Sequence, residues 1–301
     1  MSTMLKAPLS ATVPRPSAGT RPRRRTSRGG LLPTLILLAG AIYCLIPVIW
    51  VFTAASKDKG ELFTTFTLAP GTGLWDNLVA LFAYQDGQFL LWCANSLLYS
   101  GVGAVLSTFV STMAGFALAK YVFPGRNLIF LSFLVGILIP GIVLAVPQYL
   151  LLSNVGLVGT HWAVLLPSIV SPFGIYLCRV YAMSSVPQEI LEAARIDGAS
   201  EWRAFVRIVM PLMFPGMITV FLLQFIGTWN NFLLPYIMLA DQDKYPLTVG
   251  LFTLLSKGSS SPALYSVAIT GAAVSIIPLI ALVLFLQRYW RLDLVSGGIK
   301  G

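Results

Sequence analysis

Hydrophobic and polar positions alternate along this chain on the scale of whole segments, not single residues. Six apolar runs stand out, at residues 31–55, 91–119, 128–152, 162–182, 212–240 and 262–287. Each approaches or exceeds the ~20 apolar residues that a helix needs to cross a bilayer core. The pattern predicts an all-α polytopic membrane protein with six transmembrane helices over residues 31–287. The Pro/Arg-rich stretch 1–30 is expected to be a disordered cytoplasmic tail, and 288–301 a short cytoplasmic C-terminal tail. The first run is longer than the ~7–15 residues of a signal-peptide core, so it reads as a retained anchor.

Several runs contain proline, among them Pro47, Pro140, Pro147, Pro167, Pro172, Pro235 and Pro278. Such residues kink membrane helices and open room between them. Two polar connections are long. In 56–90, Trp75, Leu78, Val79 and Phe82 recur at helical spacing, which predicts an amphipathic helix on the outer membrane surface. The second, 237–261, ends in Gly258 and three serines and reads as a loop.

Composition supports the membrane reading. The chain is 56% hydrophobic and 10% charged, against about 25% charged in an average soluble domain. Mean hydropathy is +0.81. The net charge of +9 is not a nucleic-acid signal, because the basic residues cluster at the ends of apolar runs. With the N-terminus inside, sixteen of the 20 Lys and Arg residues fall in inner segments and four, Lys57, Lys59, Lys244 and Lys257, in outer ones. The bias of basic residues towards the cytoplasm therefore predicts both termini inside a bacterial plasma membrane. Arg179 lies near the inner end of its run, where it can snorkel to the interface.

Resident chemistry is sparse. Cys44, Cys93 and Cys178 share no CxxC spacing and read as small apolar residues. His161 is the one histidine, and no GxxxxGK[ST], HExxH or GxSxG motif occurs. No cofactor or metal is expected on this chain, and no catalysis.

Residues 183–211 depart from the membrane pattern. Ser185 with Gln188 has the spacing of a capping box, and Glu189 and Glu192 sit early in a helix, where its dipole favours acids. Gly198 offers a break, and Ser200 a cap for a second helix with Trp202, Phe205, Val206 and Val209 on one face. This helix–break–helix element is either a hairpin resting on the membrane or a dock for a cytoplasmic partner. The small Ala193 and Ala194 would let such a partner approach closely.

Glu192-Ala193-Ala194, three residues, Gly198, nine residues, Ile208 and then Pro211 resembles the EAA loop of bacterial ABC importer permeases, with Met210 where the family carries leucine. Residues 57–63, Asn95-Ser96, 225–232, 246–251 and 297–301 are similar to segments of the carbohydrate branch, the maltose-type second permease subunit. The family more often carries an acidic residue in the place of Asn231. The resemblance covers nearly everything after residue 30.

That resemblance implies a sugar or oligosaccharide import pathway shared with a second permease, fed by an extracellular solute-binding protein. Two separate ATPase subunits would carry ATP and Mg. Glu189, Glu192, Ala193, Ala194, Asp197, Gly198 and Arg203 would couple to the ATPase. Gln224, Asn230 and Asn231 are candidates for the solute path, because Gln224 and Asn231 fall on one helix face. Helix–helix hydrogen bonding is their alternative role. Gly297, Gly298 and Lys300 would touch the ATPase pair. The rival readings are an ABC permease for a glycerophosphodiester or polyamine and an ion-coupled secondary transporter. The second rival is disfavoured because no run contains Asp or Glu.

Overall fold

The computed structural model describes residues 30–58, 60–64, 67–258 and 261–297, which form helices and connecting turns with no strand among the described residues. Most of the basic N-terminal tail, and Gly298 and Lys300 of the C-terminal one, lie outside the described residues. So do Ser259 and Ser260 of the serine loop.

The first helix, α1, runs Leu31–Ser56. Residues 30–47 belong to a unit of their own, in which Leu31, Leu37 and Tyr43 are exposed, as suits a helix surrounded by hydrocarbon. From Val48 onward the chain forms a second unit. There Ala54 and Ala55 of α1 pack on Ile269 and Ala273.

A short turn α2 (Glu61–Thr64) leads to α3 (Leu74–Ala83). The segment 56–90 is tied down by Asn77, whose Nδ2 donates to the carbonyls of Ala55 and Lys57 and whose Oδ1 accepts from Ser266. α3 thus faces inward with Asn77 and Leu81, both buried, while Trp75, Val79 and Phe82 point outward.

The backbone then reverses at Gln85, Asp86 and Gly87, all at positive φ. Beyond this turn α4 (Gln88–Leu97), a π-helical turn at Leu98–Val102 and α5 (Gly103–Lys120) follow one another. The second apolar run thus begins a few residues early and bulges in its middle.

The third run is not one straight helix. α6 (Arg126–Leu138) and α7 (Gly141–Asn154) meet at 109°. Pro140 explains the break, since it denies its own N–H to a helix and pushes Ile139 to extended backbone (φ −80°, ψ 118°). The fourth run is interrupted as well. α8 (Trp162–Ile169) and α9 (Pro172–Ser185) are separated by extended Val170 and Ser171, and Ser171 Oγ caps α9 by accepting from Gly174 N–H at 3.1 Å.

The helix–break–helix element consists of α10 (Gln188–Ile196) and α11 (Glu201–Ala204). After a π turn at Phe205–Val209, α12 (Met210–Trp229) continues. It stops at Asn230, and α13 (Leu233–Met238), α14 (Leu247–Gly258) and α15 (Pro262–Gly297) complete the chain. Among the described residues, five helical stretches are long and apolar enough to cross a membrane, or six with the bent α6–α7 pair counted as one.

The centre of the second unit is the packing of α5 on α9, with α12 against both. Small residues make it possible. Gly103, Ser107, Ser111 and Gly115 repeat every four residues along one buried face of α5, opposite Gly174, Cys178 and Ala182 of α9. A Cβ on Gly115 would fall 2.6 Å from the Arg179 backbone nitrogen, so the two backbones nearly touch. Arg179 donates from Nε to Leu118 O at 3.4 Å and stacks its guanidinium 3.8 Å from the Phe130 ring centroid, which shelters its charge. Of the three cysteines only Cys178 is buried.

Candidate functional site

Three interruptions converge on one cavity of about 380 Å³. Gly141, Ile142, Leu144, Ala145 and Gln148 come from the start of α7, just past the Pro140 break. Pro167 and Ser168 end α8. Gln224, Gly227 and Thr228 end α12, and Asn231, Leu233 and Leu234 follow it. Interrupted membrane helices leave backbone polar groups that only a cavity or a protein neighbour can satisfy, so such breaks gather where a polar solute is handled.

The polar side chains of the lining are amides and hydroxyls, namely Gln148, Ser168, Gln224, Thr228 and Asn231, and none of the lining residues is charged. Gln224 Nε2 donates to the Ser168 carbonyl at 3.1 Å, so it fastens α12 to the break after α8 while its side chain lines the cavity. Asn231 Oδ1 accepts from Leu234 N–H, and its carbonyl accepts from Thr248. Asn230 stands apart. It is exposed, bonds back to Ile226 O at 2.9 Å and does not line the cavity. Gln148 and Thr228 belong to this site and escaped the sequence reading. The signal for Gln148 is its place one residue after Pro147, in a run that otherwise reads as a plain span.

One face of α4 and the turn after it holds the loop that follows α13. Trp92 Nε1 donates to Gln242 O, Asn95 Nδ2 to Asp243 O at 2.7 Å and Tyr245 O at 3.1 Å, and Tyr99 Oη to Lys244 O at 2.8 Å. Ser96 Oγ accepts from Leu247 N–H at 2.7 Å. In that loop the Asp243 N–H and the Lys244 ammonium hold the Asp241 carboxyl below its ordinary range.

The hairpin of α10 and α11 is built around a Gly198 turn at φ 74°. Ala199 N–H donates to Ala194 O, and Gly198 N–H to Arg195 O, the paired bonds of a left-handed helix stop. Ser200 caps α11 by accepting from Arg203 N–H at 3.3 Å. The expected capping box at Ser185 does not form. α9 extends through Ser185, and Pro187 occupies the cap of α10 without a side-chain bond.

Glu189, Glu192, Ala193, Asp197, Gly198 and Arg203 are exposed on the hairpin, whereas Ala194 is buried with Leu191. Phe205 and Val209 are buried too, but Trp202 and Val206 are exposed. The most exposed large apolar residue here is Ile196, 87% accessible beside the turn. It was passed over in the sequence.

Arg195 and Glu201 bridge the Gly198 turn, with Nε 2.7 Å from Oε1. Tyr121, the first residue past α5, donates from Oη to Glu201 Oε2 at 2.5 Å. Burial and that bond push the Tyr121 hydroxyl up to about 12, so it keeps its proton at any physiological pH.

Residues 108–291 match the family of binding-protein-dependent transport system inner membrane components, and the chain belongs to that family. It is thus a multi-pass inner-membrane permease subunit of an ABC importer. It is similar to the arabinooligosaccharides transport system permease protein AraQ of Halalkalibacterium halodurans, at 37% identity over 87% of this chain and 93% of the relative. It is also similar to the diacetylchitobiose uptake system permease protein NgcG of Streptomyces coelicolor, at 29% identity over 84% and 83%. Its fold matches a crystal structure of a bacterial ABC transporter involved in the import of the acidic polysaccharide alginate, with a TM-score of 0.76 and 22% identity over 86% of this chain and 95% of that one.

Proposed function

We propose that this chain forms half of the translocation pathway for a neutral oligosaccharide. The observation that carries this reading is the uncharged cavity at the three helix breaks. Sugar hydroxyls both donate and accept, and so do hydroxyl side chains, while each amide offers a donor and an acceptor. A carboxylate, phosphate or polyamine brought into the bilayer would need an opposite charge to offset its desolvation. None of the lining residues supplies one, which disfavours the glycerophosphodiester and polyamine alternatives. The names of the AraQ and NgcG relatives support a saccharide cargo.

In this reading Gln148, Gln224, Thr228 and Asn231 meet the solute, and a second permease closes the other side. An extracellular solute-binding protein delivers the cargo. Two ATPase subunits carry ATP and Mg, dock on residues 189–207 and contact the C-terminal tail around Gly297, Gly298 and Lys300. Both chain termini lie in the cytoplasm. Uptake of arabinotriose and of an alginate trisaccharide, compared in cells with and without this gene, tests the reading. Gene-dependent uptake of arabinotriose alone is expected. Gene-dependent uptake of the alginate oligomer alone would overturn it.

A further inference from the structure

We infer that Tyr121, Glu201 and Arg195 form a mechanical link that carries movement of the cytoplasmic hairpin into α5, and through α5 to the cavity. The inference rests on the reading that the hairpin docks the ATPase, and it adds the residues that make docking productive.

Among the described residues, no side-chain hydrogen bond other than Tyr121 to Glu201 joins the hairpin to the neighbouring long helices. Its inner face is apolar, with Leu191, Phe205 and Val209 in a cluster with Phe116, Cys178 and Ala182. Apolar contacts of that kind let a hairpin slide or rock, because they have no directional preference. Glu201 is different. One carboxylate oxygen receives Tyr121 Oη, and the other receives Arg195 Nε. Arg195 lies in the last turn of α10, Glu201 begins α11, and Tyr121 follows the last turn of α5. Three helix ends thus meet at a single carboxylate, 80 residues from Tyr121 and 6 from Arg195 in sequence.

The same corner is fixed by ring contacts. Tyr121 meets Phe116 edge-on at 5.4 Å, and Phe116 meets Phe205 at 5.8 Å. Arg126 returns a bond from Nη1 to Tyr121 O at 3.2 Å, which holds the turn after α5 in place. From there α5 runs as one helix to Gly103, packed on α9 through backbone-close glycine contacts and bordering Ser168 of the cavity wall. A push on the hairpin therefore has a directional path to the break after α8.

The three residues act by position, since none reaches the cavity. Their test is a readout that misfolding alone would not produce. The assembled importer, both permeases with the ATPase, is purified with a Leu144→Cys reporter in the cavity and with Cys44 and Cys93 replaced by alanine. Maleimide labelling of the reporter is compared without nucleotide and after trapping with ATP and vanadate. The parent should change its labelling rate about five- to ten-fold on trapping. Tyr121→Phe and Glu201→Gln should lose most of that change while the ATPase stays bound and hydrolyses ATP. The double variant Arg195→Glu with Glu201→Arg re-forms the ion pair, and the tyrosine hydroxyl can accept where it donated. It should recover the change.

A full labelling change in Tyr121→Phe and Glu201→Gln would overturn the link. Loss of the ATPase from those two variants would overturn it too, by assigning the residues to docking. Failure of the underlying reading looks different. In that case Ala193→Trp, at an exposed hairpin position, would leave ATPase binding intact.

Discussion

Gln224 of α12 donates its side-chain amide to the carbonyl of Ser168, 56 residues earlier, at the last turn before α8 breaks. One amide thereby serves the packing of two helices and the wall of a cavity. Gln148, on the same wall, is without a hydrogen-bond partner among the described residues. The two glutamines should therefore respond differently to truncation. Gln148→Ala should raise the KM for solute about two- to ten-fold, the effect of one lost hydrogen bond, with no change in the Tm of the purified complex. Gln224→Ala should lower Tm as well as uptake. Equal Tm losses in both would show that neither is reserved for solute.

Gly115→Val places a side chain against the backbone of Arg179 and the Cβ of Cys178. Overpacking of this kind costs about 1–3 kcal/mol. Complex yield should fall with this variant, whereas Gly141→Ala, where a Cβ meets open space, should leave yield unchanged. Detergent-solubilised yield by size-exclusion chromatography is the measurement.

Ile196→Asp should weaken capture of the ATPase. An apolar anchor at an interface contributes about 2 kcal/mol, near thirty-fold in Kd. Glu192→Gln should change Kd less, because an exposed ion pair contributes about 0.2–1 kcal/mol. Pull-down titration with purified ATPase ranks the two, and a larger loss for Glu192→Gln would reverse the assignment.

Orientation is open to a labelling test in whole cells. A membrane-impermeant maleimide should reach Thr72→Cys, an exposed position in the outer segment. It should spare Ser17→Cys. Labelling of Ser17→Cys in intact cells would invert the topology.

Much of this architecture is legible in the sequence. Apolar runs of the right length marked where long apolar helices lie, and the spacing from Glu192 to Pro211 marked the hairpin, its Gly198 stop and its Ser200 cap. The breaks were less legible. A proline inside an apolar run is compatible with a slight kink or a full turn. Only the surrounding helices decide that Pro140 gives 109°. Ser185 shows the opposite error, where a sound local capping signal lost to continuation of α9. The four-residue ladder from Gly103 to Gly115 was visible in principle, but small residues between larger apolar ones drew no attention. The Tyr121–Glu201 contact has no sequence signal, since five helices, α6 to α10, separate its partners in chain order.

The polar lining sits at interrupted helix ends, while the bundle is held by a separate face of small residues on α5 and α9. Mutations that alter what passes through and mutations that alter whether the bundle assembles therefore fall at largely different positions. Gln224 and Asn231 are the exceptions, since the side chain of each also holds the structure, at Ser168 and at Leu234. On the proposed path a lineage can then change its diet by drift at Gln148 or Thr228 without first surviving a loss of folding, whereas exchange at Gln224 demands a compensating change near Ser168.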